Sequence, residues 1–271
     1  MTSAFQLIAI DLDGTLLDSQ HRLTPRTKAA VWRAAEAGLH VVIATGRPRF
    51  SGYTYAEQLG LKTPGVYLQG LAVYDGDGTL LHQITMQPET ARRILRYALD
   101  HDLAVMVYNH QRKVTARHLS ERTKLLTRYG EPMPDYVDDL LSLPDQMPIS
   151  KLIFLERVET ADAVRRALQA AVGDAANVFL SQPDFVEALP PNASKGAGLA
   201  WLIAHLGVPA ERVLAIGDGE NDIEMLQLAG FGVAMANAAP RLKAVADFVT
   251  RSNDEDGVAY AIERFIFGEE G

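Results

Sequence analysis

The feature that most constrains this 271-residue chain is a short apolar run that stops in acids: Phe5 to Ile10, then Asp11-Leu12-Asp13-Gly14-Thr15. The run is too short and too β-branched for a helix, so it reads as a buried strand that Asp13-Gly14 brings to an end. Two further runs end in polar turns. Leu39 to Ala44 leads into Thr45-Gly46-Arg47-Pro48, and Val213 to Ile216 leads into Gly217-Asp218-Gly219-Glu220-Asn221-Asp222. Each has a plain explanation when taken alone: a hairpin turn at Asp13-Gly14, a solvated arginine at Arg47, helix capping by Glu220 and Asp222. Three acids and an asparagine within five residues nevertheless exceed what capping requires.

Helical segments separate the runs. Thr24-Pro25 before Arg26 to Ala37, with Gly38 beyond, has an N-cap, a proline at the first helical position and a closing glycine. A second helix is expected over Phe50 to Leu59. Strand, helix, strand, helix, strand is the alternation of a parallel sheet covered on both faces, so the expected fold class is α/β with a Rossmann-like core. Asp75-Gly76-Asp77-Gly78-Thr79-Leu80-Leu81 nearly repeats Asp11 to Leu17, but it lies between Val66 to Tyr74 and Leu80 to Met86, and a β-hairpin turn accounts for it. Neither copy is an EF-hand, since Leu16, Arg22, Leu80 and Met86 stand where that loop needs Gly and Glu.

From Pro88 the alternation is interrupted. Helices are expected at Pro88 to His101, Leu119 to Tyr129 and Thr160 to Val172, and strands at Leu103 to Tyr108, Lys113 to Thr115, Lys151 to Glu156, Val178 to Ser181 and Phe185 to Leu189. Between them lies a proline-rich stretch from Pro132 to Pro148. This reads as an inserted α+β domain over 87–187, with the core made of 1–86 and 188–271. The first pattern resumes at Ser194-Lys195-Gly196, which opens a helix to Leu206. A lysine at a helix start opposes the helix dipole, and its placement there asks for a bound anion. Gly232 to Ala236, Phe248 to Thr250 and a helix over Asp256 to Phe267 complete the core.

Composition removes several classes of function. With 48% hydrophobic and 22% charged residues the chain is an ordinary globular protein, and its net charge of −8 argues against a nucleic-acid polymer or a membrane surface as partner. There is no cysteine, so thiolate metal sites, disulfides and cysteine nucleophiles are excluded. Met1 to Asp11 lacks a signal-peptide pattern and no apolar run reaches about 18 residues, so a cytoplasmic location is expected.

In an open parallel α/β sheet, ligands lie outside the carboxyl ends of the strands, which brings Asp11, Asp13, Thr45 and Asp218 to one rim. Carboxylates with a backbone carbonyl form a hard oxygen site that suits Mg2+, and Thr45, Lys195 and the turn amides supply donors for a phosphoryl group. No G-x-x-x-x-G-K-[ST], helix-opening G-x-G-x-x-G, H-E-x-x-H or G-x-S-x-G is present. The carboxylates must therefore carry the chemistry, one as a nucleophile forming an aspartyl-phosphate and another as acid and base.

The set Asp11-Leu12-Asp13-Gly14-Thr15, Thr45-Gly46-Arg47, Ser194-Lys195-Gly196 and Gly217 to Asp222 resembles the haloacid dehalogenase superfamily, with all four motifs in family order. The long insert and Asn253-Asp254-Glu255-Asp256-Gly257-Val258 resemble its Cof-type branch, which carries a C2 cap. The resemblance implies a magnesium-dependent phosphatase acting on a small phosphorylated metabolite, a sugar phosphate or a cofactor or nucleotide monophosphate. It makes Asp11 the nucleophile, Asp13 the acid/base and carbonyl ligand, and Asp218 the remaining protein ligand of the metal. Leu12, Thr45, Gly46, Arg47, Lys195 and Asn221 would bind the phosphoryl group, with Asp222 supporting the metal or Lys195. At Leu68-Gln69-Gly70-Leu71-Ala72 the chain departs from the Asn-Gly-Ala triplet common in relatives, and Gln69 stands in for the asparagine without any contact carried over.

Three other readings compete with the phosphatase reading: a phosphomutase or phosphotransferase on the same core, a phospho-accepting receiver module, and a non-catalytic binder. Receivers are about half this length and lack the Asp-x-Asp spacing, and no motif residue needed for catalysis is missing. The basic stretch Arg112, Lys113, Arg117, Arg122, Lys124 and Arg128 is expected either to face an anionic substrate or to be a solvated face.

Overall fold

The computed structural model describes residues 4–116, 119 and 133–269. They form two compact units, one made of the chain up to Pro48, Gly52–Gln83 and Ser194 onward, the other of Arg49–Ser51 and Ile84–Ala193. The first unit begins with β1 (Leu7–Ile10), the helix Pro25–Glu36 and β2 (His40–Ile43). Thr24 Oγ1 accepts the Thr27 N–H at 3.2 Å, the cap expected of a Thr-Pro start. The helix Arg49–Gln58 leads to β3 (Gly65–Tyr67), β4 (Ala72–Tyr74) and β5 (Leu80–Gln83).

Here the structure departs from the sequence reading. The run from Val66 to Tyr74 is two antiparallel strands, because Leu68, Gln69 and Gly70 all take positive φ and turn the chain back. β3, β4 and β5 make a separate three-stranded sheet, and the parallel sheet meets this segment only through a bridge from Ala44 to Val66.

In the second unit β6 (Ala104–Tyr108), β7 (Lys113–Ala116), β8 (Asp135–Val137), β9 (Lys151–Leu155), β10 (Asn177–Gln182) and β11 (Phe185–Leu189) form one sheet, in the order β10-β11-β9-β6-β7-β8. Val105, Val107, Leu152, Phe154, Val186 and Ala188 share one hydrophobic core with Ile94 and Leu95 of the helix Pro88–Asp100 and Leu168 of the helix Val158–Val172. The alternate positions mix apolar Ala104, Met106, Ile153 and Leu155 with polar Tyr108, Lys151 and Glu187. Tyr108 is in register with both Lys113 and Lys151, and the buried Lys151 Nζ meets Glu187 Oε2 at 2.9 Å. The proline-rich stretch, to which the sequence assigns no element, contains β8 and a short helix, Leu143–Gln146. The helix expected over Leu119 to Tyr129, and with it Arg117, Arg122, Lys124 and Arg128, lies outside the described residues. Of the remaining basic pair, Arg112 is bonded to Asp135 at 3.2 Å and Lys113 is buried, so neither is a solvated, unpaired charge.

The chain returns through the helix Lys195–Leu206 to β12 (Val213–Gly217), β13 (Phe231–Ala234) and β14 (Phe248–Val249), and ends on the helix Gly257–Phe267. The main sheet has the order β14-β13-β12-β1-β2 and every pair in it is parallel. β1 and β12 are buried throughout, which explains why they read as continuous apolar runs rather than alternating ones. β1 is flanked by β12 and β2, so the turns that follow these three strands share one edge.

Candidate active site

Asp11 follows β1 directly and is 5% exposed. The chain then coils through Leu12–Leu16 with i→i+5 hydrogen bonds, Leu16 N–H to the Asp11 carbonyl and Leu17 N–H to the Leu12 carbonyl. Asp13 (φ −84°, ψ 121°) and Gly14 (φ 80°, ψ −1°) have the dihedral angles of a type II turn, whose third residue needs positive φ. Gly14 is fixed for a second reason, since a Cβ there would collide with Asp218 Oδ2. The Leu12 side chain belongs to the core, which leaves only its backbone N–H to serve a phosphoryl group.

Lys195 links the first and last motifs. Ser194 Oγ accepts the Ala197 N–H at 3.0 Å and caps the helix that carries it. The Lys195 ammonium, 1% exposed, donates to Asp11 Oδ1 at 2.5 Å and to Asp222 Oδ1 at 2.7 Å. The anion expected beside this lysine is thus supplied by the protein's own carboxylates. Asp222 Oδ2 accepts the Asp218 and Gly219 N–H groups, both at 3.0 Å, so Asp222 has both oxygens committed and acts as the brace of the Gly217–Asp222 turn. Asp218 Oδ1 accepts from Thr15 Oγ1 at 3.1 Å. Glu220, on the same turn, points away and pairs with Arg241 at 3.0 Å.

The charges do not balance within this group. Burial pushes the Asp11 carboxyl well above the ordinary aspartate range, Lys195 pulls it back, and Asp222 and Asp218 push it further up. Burial and then Asp222 raise Asp218 in the same way, against the Thr15 hydrogen bond. Burial works against the Lys195 ammonium, yet Asp11 and Asp222 outweigh it and hold its pKa above that of an ordinary lysine. One ammonium faces three carboxylates. Oxygens of Asp11, Asp218 and Asp222 lie within 4.8 Å of one another, a set able to hold a hard cation, and with Asp222 committed elsewhere the ligands left are Asp11 and Asp218.

The remaining expected residues stand around this group. Thr45, 1% exposed, accepts the Arg47 N–H on Oγ1 at 3.1 Å, which leaves its hydroxyl proton to donate. Arg47 is placed differently from a phosphoryl ligand, for its guanidinium grips Asp13 in a two-pronged bond of 2.7 and 2.5 Å. His21 Nδ1 is 3.3 Å from the same carboxylate, which remains 40% exposed. Asn221 Nδ2 donates to Gln69 Oε1 at 3.1 Å, and Gly46 lies against the same glutamine, where an added Cβ would be 2.7 Å from Nε2.

Sequence reasoning missed four contributors: Thr15, the side chain of Gln69, Asn237 and Asn253. Asn237 Nδ2 donates to the Gly14 carbonyl at 2.8 Å, Asn253 N–H donates to Asn237 Oδ1 at 3.0 Å, and Asn253 Nδ2 donates to the Leu17 carbonyl at 2.9 Å. The following Ala239 N–H holds the Asp218 carbonyl at 2.9 Å. A readable signal existed for Asn237, which sits just past the carboxyl end of β13, the same edge as the other turns.

Residues 8–262 match the family model of the haloacid dehalogenase-like hydrolases. The chain belongs to that family. Within the haloacid dehalogenase-like hydrolases it falls in the Cof-type phosphatase branch. Phosphatase YwpJ of Bacillus subtilis is 31% identical over 285 residues, covering 96% of this chain and all of that protein. A haloacid dehalogenase-like hydrolase from Bacteroides thetaiotaomicron has the same fold at a TM-score of 0.87 and 30% identity, over 96% of this chain and 99% of that one. The chloroplastic endoribonuclease YBEY of Arabidopsis thaliana is 38% identical over 97% of this chain but over only 47% of its own length, so this chain spans about half of that relative. No helix among the described residues is long and apolar enough to cross a membrane.

Proposed function

We propose that the chain hydrolyses phosphomonoesters of small metabolites, with Mg2+ as cofactor and Asp11 as the nucleophile. The observation that carries this reading is the placement of Asp11, a buried carboxylate held on one oxygen by Lys195 with Asp218 beside it. Lys195 fixes the orientation of that carboxylate and directs its second oxygen at an incoming phosphorus. Asp11, Asp218 and the Asp13 carbonyl would hold Mg2+, which would supply positive charge to offset the phosphoryl oxygens and the crowded carboxylates.

The other residues take roles that follow from their protons. Thr45 Oγ1–H, the Gly46 amide, Lys195 and Asn221 bind the phosphoryl oxygens. Asp13, two residues after the nucleophile and partly solvated, protonates the leaving oxygen and then takes a proton from the water that cleaves the aspartyl-phosphate. Arg47 holds the Asp13 carboxylate between those steps. Asp222 acts on the site through Lys195 and the Asp218 amide. We assign the choice of leaving group to the inserted segment.

A panel of phosphorylated metabolites incubated with protein and Mg2+, read by release of inorganic phosphate, tests the proposal. Release that stops with a chelator and returns with Mg2+ is the expected result. Phosphate transferred to a second hydroxyl of the product, with none released, would replace hydrolysis by mutase chemistry. No turnover of any ester would overturn the reading.

A further inference from the structure

Leu68, Gln69 and Gly70 occupy the left-handed region in succession, at φ 55°, 60° and 87°. Glycine takes this conformation freely, and Gly70 must be glycine because a Cβ would collide with the Ser194 carbonyl oxygen. Leucine and glutamine are poorly suited to it, and asparagine would fit better than glutamine. Such strain persists only where the surroundings enforce it. Here the Leu68 N–H is held by the Arg47 carbonyl at 3.0 Å and the Gln69 N–H by the Thr45 carbonyl at 3.1 Å, so the turn is fastened to the loop after β2.

Backbone fastening does not require a glutamine, since glycine or asparagine would supply the same N–H with less strain. What glutamine adds is a longer carboxamide, and its position is specific. The residue is 6% exposed, Oε1 accepts from Asn221, and Nε2 stands over Gly46. It therefore bridges two of the groups assigned to the phosphoryl oxygens, with the amide hydrogens on the Gly46 side.

We propose that Gln69 is itself a substrate-binding residue: Asn221 fixes its carbonyl oxygen, and its Nε2 hydrogens donate to a phosphoryl oxygen beside Gly46. The inference rests on the phosphatase reading of the site and adds a donor to it. A fixed donor aimed at a phosphoryl oxygen strengthens as charge moves during transfer, whereas a glutamine that only supports Asn221 would act without touching substrate.

Two near-isosteric variants separate these roles. Gln69→Glu keeps an oxygen to accept from Asn221 and loses the donor, whereas Gln69→Met loses both. Turnover of p-nitrophenyl phosphate and the dissociation constant of orthovanadate in the presence of Mg2+ are the readouts, with melting temperature as the control for folding. The donor role predicts that both variants lose about 10- to 100-fold in kcat/KM, that vanadate binding weakens by about 10-fold or more, and that Gln69→Glu is the worse of the two. Gln69→Glu within twofold of wild type, with Gln69→Met impaired, would overturn it in favour of a supporting role. Should either variant fail to fold, Gln69→Gly, which fits φ 60° without strain, is compared in wild type and in Asn221→Ala by the same vanadate measurement: a further weakening of binding in the Asn221→Ala background upholds the donor, and no further loss there rejects it in favour of the supporting role. Wild-type protein that turns over no ester and binds no vanadate would overturn the phosphatase reading itself, and the donor role with it.

Discussion

Asp11-Leu-Asp-Gly-Thr-Leu-Leu and Asp75-Gly-Asp-Gly-Thr-Leu-Leu differ by one letter, and the structure uses them in opposite ways. At the second copy the acids serve their own turn. Asp75 Oδ1 accepts the Gly76 N–H and Asp77 Oδ1 the Thr79 N–H, both at 2.8 Å, and the turn joins two antiparallel strands. At the first copy Asp11 serves no neighbouring amide; its carboxylate is met by Lys195, 184 residues further on. A carboxylate bonded to local N–H groups is spent on the turn, while one whose partners arrive from distant segments is held for another purpose. The difference lies in the strand before the turn: β1 has parallel neighbours on both sides and drives its end into the interior, whereas β4 and β5 belong to a small sheet whose turn meets solvent.

The contrast can be broken most sharply at the leading acid. Asp11→Asn is expected to lower phosphate release by at least about 10³-fold in a protein that still folds, because it removes the nucleophile and a metal ligand together. Asp75→Asn should leave turnover within twofold, and comparable losses in the two variants would erase the distinction. The third residue of each copy comes next. Asp13→Asn should slow formation and breakdown of the intermediate by about 10²- to 10⁴-fold, and an unchanged pre-steady-state burst would count against its acid role.

Lys195 sharpens the comparison in terms of stability. Lys195→Met leaves Asp11 and Asp222 buried without their cation, and urea unfolding should show a loss of about 3–5 kcal/mol. Lys62→Met, at an exposed lysine beside the second copy, should cost no more than about 0.5 kcal/mol. Equal costs would mean that the Lys195 cluster is not the uncompensated centre its burial describes. The smallest effect is expected at Asn237, an exposed side chain bonded to the Gly14 carbonyl. Asn237→Ala should lower kcat by about 5- to 30-fold, the worth of one well-placed hydrogen bond, with little change in melting temperature. A variant indistinguishable from wild type would show that the first copy holds its shape unaided.

The parallel sheet was legible because β1, β2 and β12 are apolar runs, buried almost throughout, that each end in a polar turn, and the helix starts at Thr24 and Ser194 were legible from the residues that open them. Asp11, Asp13, Thr45 and Asp218 could be gathered to one rim by topology alone. The reversal at Leu68 and Gln69 was not legible, since neither residue favours positive φ and the surrounding letters alternate as a strand should. Its cause is tertiary, in carbonyls of Thr45 and Arg47 that no local pattern contains. The pairing of Arg47 with Asp13 was hidden for a related reason: an arginine on a phosphate-binding turn looks the same in sequence whether its partner is substrate or a neighbouring carboxylate. β8 and Leu143–Gln146 escaped because prolines at their borders read as connection.

The pairing of β1 between β12 and β2 also fixes when the site can come into being. Leu7 to Ile10 are made shortly before β2, but their other neighbour is Val213 to Ile216, made after the whole insert. Until then one edge of a wholly apolar strand is open, and Asp11 has neither Lys195 nor Asp218 beside it. The second unit, continuous apart from Arg49–Ser51, is complete in the nascent chain well before that moment. Synthesis thus separates the nucleophile from its partners: Asp11 is translated before the insert and Lys195 and Asp218 after it, and a chain stalled within the insert would carry the leading acids with no centre around them.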